Sequence, residues 1–412
     1  MLKTDRCKAS PLEVIYQIQK SSPSVVSLTS VAKKILFREN RPCIEKSASP
    51  FQCATIHIMR LITVITSALI VAISISSYAD STKSATLFWD GLFEKQLAAY
   101  NLFSDPITQT PNKGLIPYDI ITPLFSDYAQ KNRFFYIPSG TQIEYRKDEA
   151  FVFPVGSALI KTFSYPIDFR HPQKGRRLVE TRLLIYTPQG WKGAAYLWND
   201  DQTDATLKIA GATVPLEWKH TDGTTKNTNY LVPNMNQCKA CHRGTSGITG
   251  PLGLKAHQLN RKYDYGRGPV NQINHWSKIE ILQDAPLSDN APKLVSWDDP
   301  AGSLKQRVLG YLDINCAHCH NEKGLASYTR LNLTYSEDNP HDRGIMKRPT
   351  AAGNSSRGRY FAIVPGNPDA SFLLSRLTAT APHIRMPQTG RTLVHDEGVA
   401  LLREWILSLK PE

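Results

Sequence analysis

Short runs rich in β-branched and aromatic residues dominate the middle of the chain, at Arg133–Ile137, Thr141–Arg146, Ala158–Phe163, Leu178–Tyr186, Trp191–Trp198 and Thr213–Trp218. Gly and Pro interrupt them, so each reads as a strand. The clearest hairpin joins Leu178–Tyr186 to Trp191–Trp198 through Thr187-Pro188-Gln189-Gly190, where Pro presets the turn and Gly tolerates its backbone angles. Several short strands at close spacing predict an antiparallel sandwich or barrel-like domain over 80–236. Apolar residues then change to helical spacing. Leu304, Val308 and Tyr311/Leu312 predict one helix, and Val399, Leu402, Ile406 and Leu409 predict another. Asp396 and Glu397 open the second, where the helix dipole favours negative charge.

The segment from Met59 runs Met-Arg and then, from Leu61 to Ala79, carries no charge. It ends Ser77-Tyr78-Ala79, with small residues at the −3 and −1 positions before Asp80. A charged n-region, an apolar h-region and a cleavage site in this order predict a signal peptide over 59–79 and export to the periplasm. Residues 1–58 lack sustained periodicity and read as an unstructured leader or a mis-assigned start, with a mature chain of 80–412. Left uncleaved, the apolar run is just long enough to hold the chain to a membrane. No Cys stands at the cleavage point, which excludes a lipid anchor there.

With 412 residues the chain has room for two or three domains. Of the formal charge of +13, residues 1–58 carry +5 (nine Lys/Arg against four Asp/Glu) and Arg60 one more, which leaves +7 for the rest. A surplus of this size suits an acidic protein partner. The basic cluster at Lys174, Arg176 and Arg177 is too short for a nucleic-acid surface and reads as a solvated loop. No Ser/His/Asp set, phosphate loop or dinucleotide fingerprint is present.

Cys7, Cys43 and Cys53 lie in the leader, and the other four cysteines form two pairs, each followed by His. Cys238-Lys239-Ala240-Cys241-His242 and Cys316-Ala317-His318-Cys319-His320 both read Cys-x-x-Cys-His, the attachment signature of c-type haem. Two thiols at this spacing reach the two vinyl groups on one edge of the porphyrin, and the adjacent His turns under the iron. A zinc ribbon would set its pairs about 15–20 residues apart; here Cys238 and Cys316 stand 78 apart. A redox dithiol needs no His after each pair. The expectation is two covalent haem c groups, with His242 and His320 as proximal ligands.

The mature chain has three Met residues, Met235, Met346 and Met386. Met386 lies 66 residues after His320, in Arg385-Met386-Pro387 before the last helix, and is the expected distal ligand of haem 2. Its thioether would raise the potential. Met346, in a Lys/Arg-rich loop, is the runner-up. For haem 1 no Met lies between His242 and Cys316, and Met235 is too close to Cys238 to reach over the ring. His275, 33 residues after His242, and His257 are the candidates, His275 having more chain to reach with. An open five-coordinate iron or a ligand from another domain are the alternatives.

Several strings now fall into a pattern: Ile116-Pro117-Tyr118-Asp119 through Leu124-Phe125-Ser126-Asp127-Tyr128, Phe153-Pro154-Val155-Gly156, Glu180-Thr181-Arg182-Leu183-Leu184, and Trp198-Asn199-Asp200-Asp201-Gln202-Thr203-Asp204-Ala205. Val232-Pro233-Asn234 precedes the first haem motif and Leu259-Asn260-Arg261 follows it. Over roughly 85–412 the chain resembles a family of bacterial exported dihaem c-type cytochromes with an N-terminal β domain and no established reaction. Val364-Pro365-Gly366-Asn367-Pro368 through Arg385-Met386-Pro387 to Trp405-Ile406 is similar to widespread bacterial cytochrome domains, in which the Met of the Met-Pro pair is the distal ligand. The resemblance implies that role for Met386. The expected architecture is α+β multidomain: the β domain, then two mainly α-helical cytochrome c-like haem domains at 237–300 and 301–412, the second class I-like.

Three functions fit this reading. The leading one is electron transfer between redox partners. The second is a dihaem peroxidase-like enzyme with an open haem 1. The third is the haem subunit of a periplasmic dehydrogenase whose β domain binds substrate, with Trp191, Trp198 and the 200–204 loop as lining candidates.

Overall fold

The computed structural model describes residues 84–410 except 88, 243–249 and 351–352. The leader and signal segment expected over 1–79 lie outside the described residues. Among those described, no helix is long and apolar enough to cross a membrane.

The chain opens with a small hairpin of β1 (Phe103–Asp105) and β2 (Thr110–Pro111). It continues through β3 (Leu115–Tyr118), β4 (Gln130–Tyr136), β5 (Ile143–Glu144), β6 (Ala158–Pro166), β7 (Arg176–Thr187), β8 (Gly190–Trp198) and β9 (Ala205–Leu207). All but β5 join an antiparallel six-stranded sheet in the order β3-β4-β6-β7-β8-β9. A second hairpin, β10 (Ala212–Lys219) and β11 (Thr225–Val232), stands apart as its own ladder. The turn at 187–190 forms as its sequence demands: Thr187 pairs with Gly190, whose φ is +95°.

Strand register sorts the side chains onto two faces, because successive residues alternate. Phe134, Ile160, Leu183 and Ala194 face one another in one row. They share a core with Ala85, Leu97, Tyr100, Leu102 and Leu115, so the N-terminal segment covers this first face. The second face is covered in two places. At one end Phe163 and Ala195 pack under Val214, Leu216, Trp218, Tyr230 and Val232 of the β10–β11 hairpin. At the other, Phe135 packs with Phe153, Leu254, Leu259, Ile273, Trp276 and Leu282.

After β11 come helices α1 (Met235–His242), α2 (Ala256–Leu259) and α3 (Gln272–Lys278), the short hairpin of β12 (Lys262–Asp264) and β13 (Pro269–Asn271), and β14 (Leu282–Gln283). β14 pairs in parallel with β5. The last part holds α4 (Leu304–Asn315), α5 (Phe372–Thr378) and α6 (Asp396–Ser408). α4 starts on a capping box in which Ser303 and Gln306 satisfy each other's backbone. α4 and α6 share a core through Val308, Tyr311, Leu312, Leu402, Trp405 and Ile406. Gly398 is required there, since any Cβ would collide with the Tyr311 ring.

This architecture corrects the expected one. The chain is built mainly on β-sheet, and the two mainly α-helical cytochrome domains are not formed. The six helices among the described residues run from 4 to 13 residues. In place of a closed barrel there is an open sheet with β3 and β9 at its edges. Two physical reasons account for the difference. Pro251, Gly253, Gly266 and Pro269 break the segment after His242, and its apolar side chains complete the sheet's core. Between His320 and α6, Pro340, Pro349, Pro365, Pro368, Pro382 and Pro387 hold the chain in loops, so only the seven residues of α5 are α-helical among the described residues.

Trp276 tests this shared core, because it packs edge-on against Phe135 with ring centroids 5.0 Å apart. Trp276→Ala should cost about 3–5 kcal/mol. Guanidinium unfolding followed by far-ultraviolet circular dichroism should show the whole sheet shifting with it in one transition. A sheet that kept its midpoint would mean that the 250–300 segment folds independently.

Candidate functional site

The first Cys-x-x-Cys-His lies on α1. Asn234 and Gln237 cap that helix reciprocally: the Gln237 amide donates to Asn234 Oδ1 (2.8 Å) and the Asn234 amide to Gln237 Oε1 (2.9 Å). The helix rests on the second face of the sheet. Cys238 Cβ sits over Gly193 of β8, 3.6 Å from where a side-chain carbon at 193 would stand. The second motif forms the turn that ends α4, where the amides of Cys319 and His320 both donate to the Cys316 carbonyl (3.1 and 3.0 Å). Gly324 closes against it, because a Cβ there would strike the Cys319 carbonyl.

Both imidazoles are oriented in the same way. His242 Nδ1 lies 2.9 Å from the Gly250 carbonyl oxygen, so this nitrogen carries the proton and donates. His320 Nδ1 lies 3.3 Å from Thr329 Oγ1, whose own proton goes to the Ala326 carbonyl (2.7 Å), which makes Thr329 the acceptor. Neither Nε2 has a hydrogen-bond partner among the described residues. Burial pushes both rings down, to about 4, so each is neutral near pH 7 and its Nε2 lone pair is available. This donor set fits the haem that the motif implies: a fixed tautomer, a free Nε2 and two adjacent thiols. The thiols are free. Burial, then the neighbouring Cys319, pushes Cys316 up to about 12. Burial, then Cys241, pushes Cys319 up to about 11. Among the described residues no three His, Cys, Asp or Glu converge as a metal cluster, so the two Cys pairs do not combine in one four-thiolate centre.

The first motif meets the loop that precedes α6. Cys241 Sγ lies 3.1 Å from Thr389 Oγ1, on the loop that carries Met386. That loop is held firmly. The Arg391 guanidinium donates to the carbonyls of Met386, Arg376, Leu377, Ala379 and Leu393. Asp127, buried, accepts from the amides of Thr392 (2.7 Å) and Leu393 (2.8 Å) and from the Thr392 hydroxyl (2.8 Å). Met386 is half-buried, and Pro387 lines a small cavity with Phe125, Tyr311, Leu377, Arg391 and His395. Met346, the runner-up, is exposed with φ of +50°.

Each candidate for haem 1 has another partner. His257 Nε2 lies 3.1 Å from Asp313 Oδ2, and both side chains are buried. Burial opposes the charge on Asp313, yet the His257 hydrogen bond holds its carboxyl below the usual range. His275 stacks on Tyr265 with centroids 4.0 Å apart. It lines a surface groove with Asn260, Asn274, Lys278 and Ser288, and none of the groove's residues belongs to the 238–242 motif.

Three residues escaped sequence reasoning. His318, inside the second motif, is partly buried, and its ring is close enough to depress both His242 and His320. Its only signal was a second His among five residues. Lys161 and Arg182 face the first motif from the sheet, and a charged residue on an inward register position was the available sign. The residues considered for a substrate site have structural roles instead. Trp198 is buried and donates to Thr181 (3.0 Å), Trp191 stacks on Tyr186, Gln202 bonds the Leu178 backbone and Asp204 accepts from Ala98 (2.9 Å).

Asp127→Ala should free the Met386 loop from the sheet. Removing three bonds to one carboxylate should cost about 3 kcal/mol or more, measured by urea unfolding. Hydrogen exchange should accelerate at the amides of 392 and 393 and along 386–391. Comparison of the chain with protein-family models, with curated proteins and with solved structures gave no match.

Proposed function

We propose that this chain is an exported dihaem c-type cytochrome that passes electrons between redox partners in the periplasm. One haem c joins Cys238 and Cys241 and the other joins Cys316 and Cys319. The observation that carries this reading is the repeated arrangement at His242 and His320: Nδ1 donating to an acceptor, Nε2 without a partner, and two thiols alongside. The resemblance to exported dihaem cytochromes, carried by the strings around Asp119, Asp127 and Glu180, points the same way.

Bound at these sites, haem c supplies reversible one-electron chemistry at iron. The protein does the rest. Gly250 and Thr329 fix the two rings and make them better donors. Arg391 and Asp127 hold the loop from which Met386 would serve as the distal ligand of haem 2. The Cys241–Thr389 contact ties the first motif to the loop that carries Met386. The +7 of the mature chain favours encounter with an acidic partner.

Pyridine haemochrome and intact mass should give two covalent haems per chain, and Cys316→Ala with Cys319→Ala should leave one. Zinc with no haem would end this reading. In Met386→His the near-infrared sulfur-to-iron band should vanish and one potential should fall, because imidazole stabilises Fe(III) better than a thioether does.

One observation favours a second reading, a dihaem peroxidase-like enzyme. No Met lies between His242 and Cys316, while His257 is paired with Asp313 and His275 is stacked on Tyr265. Electron paramagnetic resonance of the oxidised protein decides between the two. Low-spin signals at both haems and no peroxide turnover support the electron carrier. A high-spin haem 1 with robust turnover, tested also in the half-reduced protein, supports the enzyme.

A further inference from the structure

The strip of sheet beneath the first motif has an unusual composition. Arg133 of β4, Lys161 of β6 and Arg182 of β7 are directly opposite one another across three adjacent strands. Strands lie about 4.8 Å apart, and like charges facing each other across a ladder repel. Lys131 lies on the same face, one pair along. Two of these four cations hold carboxylates. Arg133 pairs with Asp119 at 2.7 Å, and Arg182 pairs with the fully buried Glu180, which also accepts from the Tyr230 hydroxyl (2.5 Å). Lys131 donates to the carbonyls of Leu124 (2.8 Å) and Ala129 (3.1 Å). Lys161 has no hydrogen bond or ion pair among the described residues; its ammonium lies 5.9 Å from the Phe163 ring centre.

Such an arrangement costs stability unless an anion completes it. Burial, then the charges of Arg133 and Arg182, pushes the Lys161 ammonium down to about 7. The strip also adjoins the first motif. Cys238 sits over Gly193, in the row next to the one that holds Lys161 and Arg182. A haem joined at Cys238 and Cys241 brings two carboxylates, the chemistry that an unpaired ammonium flanked by two guanidinium groups recognises.

We infer that Lys161, flanked by Arg133 and Arg182, binds the propionate carboxylates of the haem attached at Cys238 and Cys241. The inference rests on the dihaem reading. It assigns the sheet a second role: besides supporting α1, it neutralises the haem's negative charge within the protein and thereby sets that haem's potential. A free anion such as phosphate has the same chemistry and is the competing occupant.

The test uses full-length, haem-loaded protein with Lys161→Gln and Lys161→Arg. Haem content, the propionate bending band in resonance Raman and each haem's midpoint potential are measured, with and without inorganic phosphate. Both variants should keep two haems. In Lys161→Gln the propionate band of one haem should shift and its potential should fall, because an unneutralised carboxylate stabilises Fe(III); the other haem should not change. Lys161→Arg, which keeps the cation, should stay close to wild type, and phosphate should have no effect. Two attached haems with an unchanged band and unchanged potentials in Lys161→Gln would overturn the inference alone. So would a wild-type potential that moves with phosphate while the propionate band ignores the substitution. Wild-type protein with no covalent haem would overturn the dihaem reading as well.

Discussion

The elements that carry the two motifs are arranged around the second face of the central sheet. Register sets three rows side by side on that face: Phe135, Leu159, Leu184 and Gly193; then Arg133, Lys161, Arg182 and Ala195; then Lys131, Phe163, Glu180 and Leu197. The rows differ sharply in what they can accept as a neighbour. The first is apolar and is buried by the segment that follows His242, through Ile273, Trp276 and Leu282. Beyond the charged rows, Val179 and Tyr165 are buried by the β10–β11 hairpin. The hairpin also reaches into the charged rows, over Phe163 and Ala195 and through the Tyr230 hydroxyl, which donates to Glu180. α1, short and polar, with its two thiols and its histidine, meets this face at Gly193, beside the charged middle.

Polar ties then hold the covering segments to the sheet. Asp119 accepts from Arg133 of β4 and from Arg261 of the 254–291 segment, both at 2.7 Å, and the Gln272 side chain bonds its backbone on both sides. Asp127 does the same for the Met386 loop through Thr392 and Leu393. Breaking one partner of such a pair leaves the other desolvated and unsatisfied, which costs more than the bond itself contributes. The spacing of the two motifs is therefore a property of the sheet. Glu180, Asp119 and Asp127 belong to the strings that carry the resemblance to exported dihaem cytochromes, and each joins elements far apart in sequence.

The candidate site was legible where chemistry is local. A thiol pair three residues apart and the next-door histidine must act on one ligand, so Cys238, Cys241, His242, Cys316, Cys319 and His320 could be named without a fold. The distal side was not legible in this way. His275 and His257 were chosen by reach and elimination, and nothing near them in the chain foretold that Asp313, on α4, would take His257 or that Tyr265 would stack on His275. Lys161 was hidden for the same reason: a lysine between Ile160 and Thr162 gives no sign of which cations will stand opposite it until the strands are paired.

By itself, the sequence determined the elements whose causes are short-range. The turn at 187–190, the strands on either side of it, the capped helix before Cys316 and the amphipathic helix ending at Ser408 all follow from neighbours within a few residues. The helical domains expected around each motif needed long-range information that sequence does not display. Leu254, Leu259, Ile273 and Trp276 are apolar enough for a helical core, but Pro and Gly cut their segment into pieces of four and seven residues. Pieces that short cannot persist without tertiary packing. Only the tertiary structure decided that they would complete the core of a distant sheet instead of enclosing a core of their own. The reason is that burying them against Phe135 and Phe153 removes more apolar surface from water than two isolated turns of helix could.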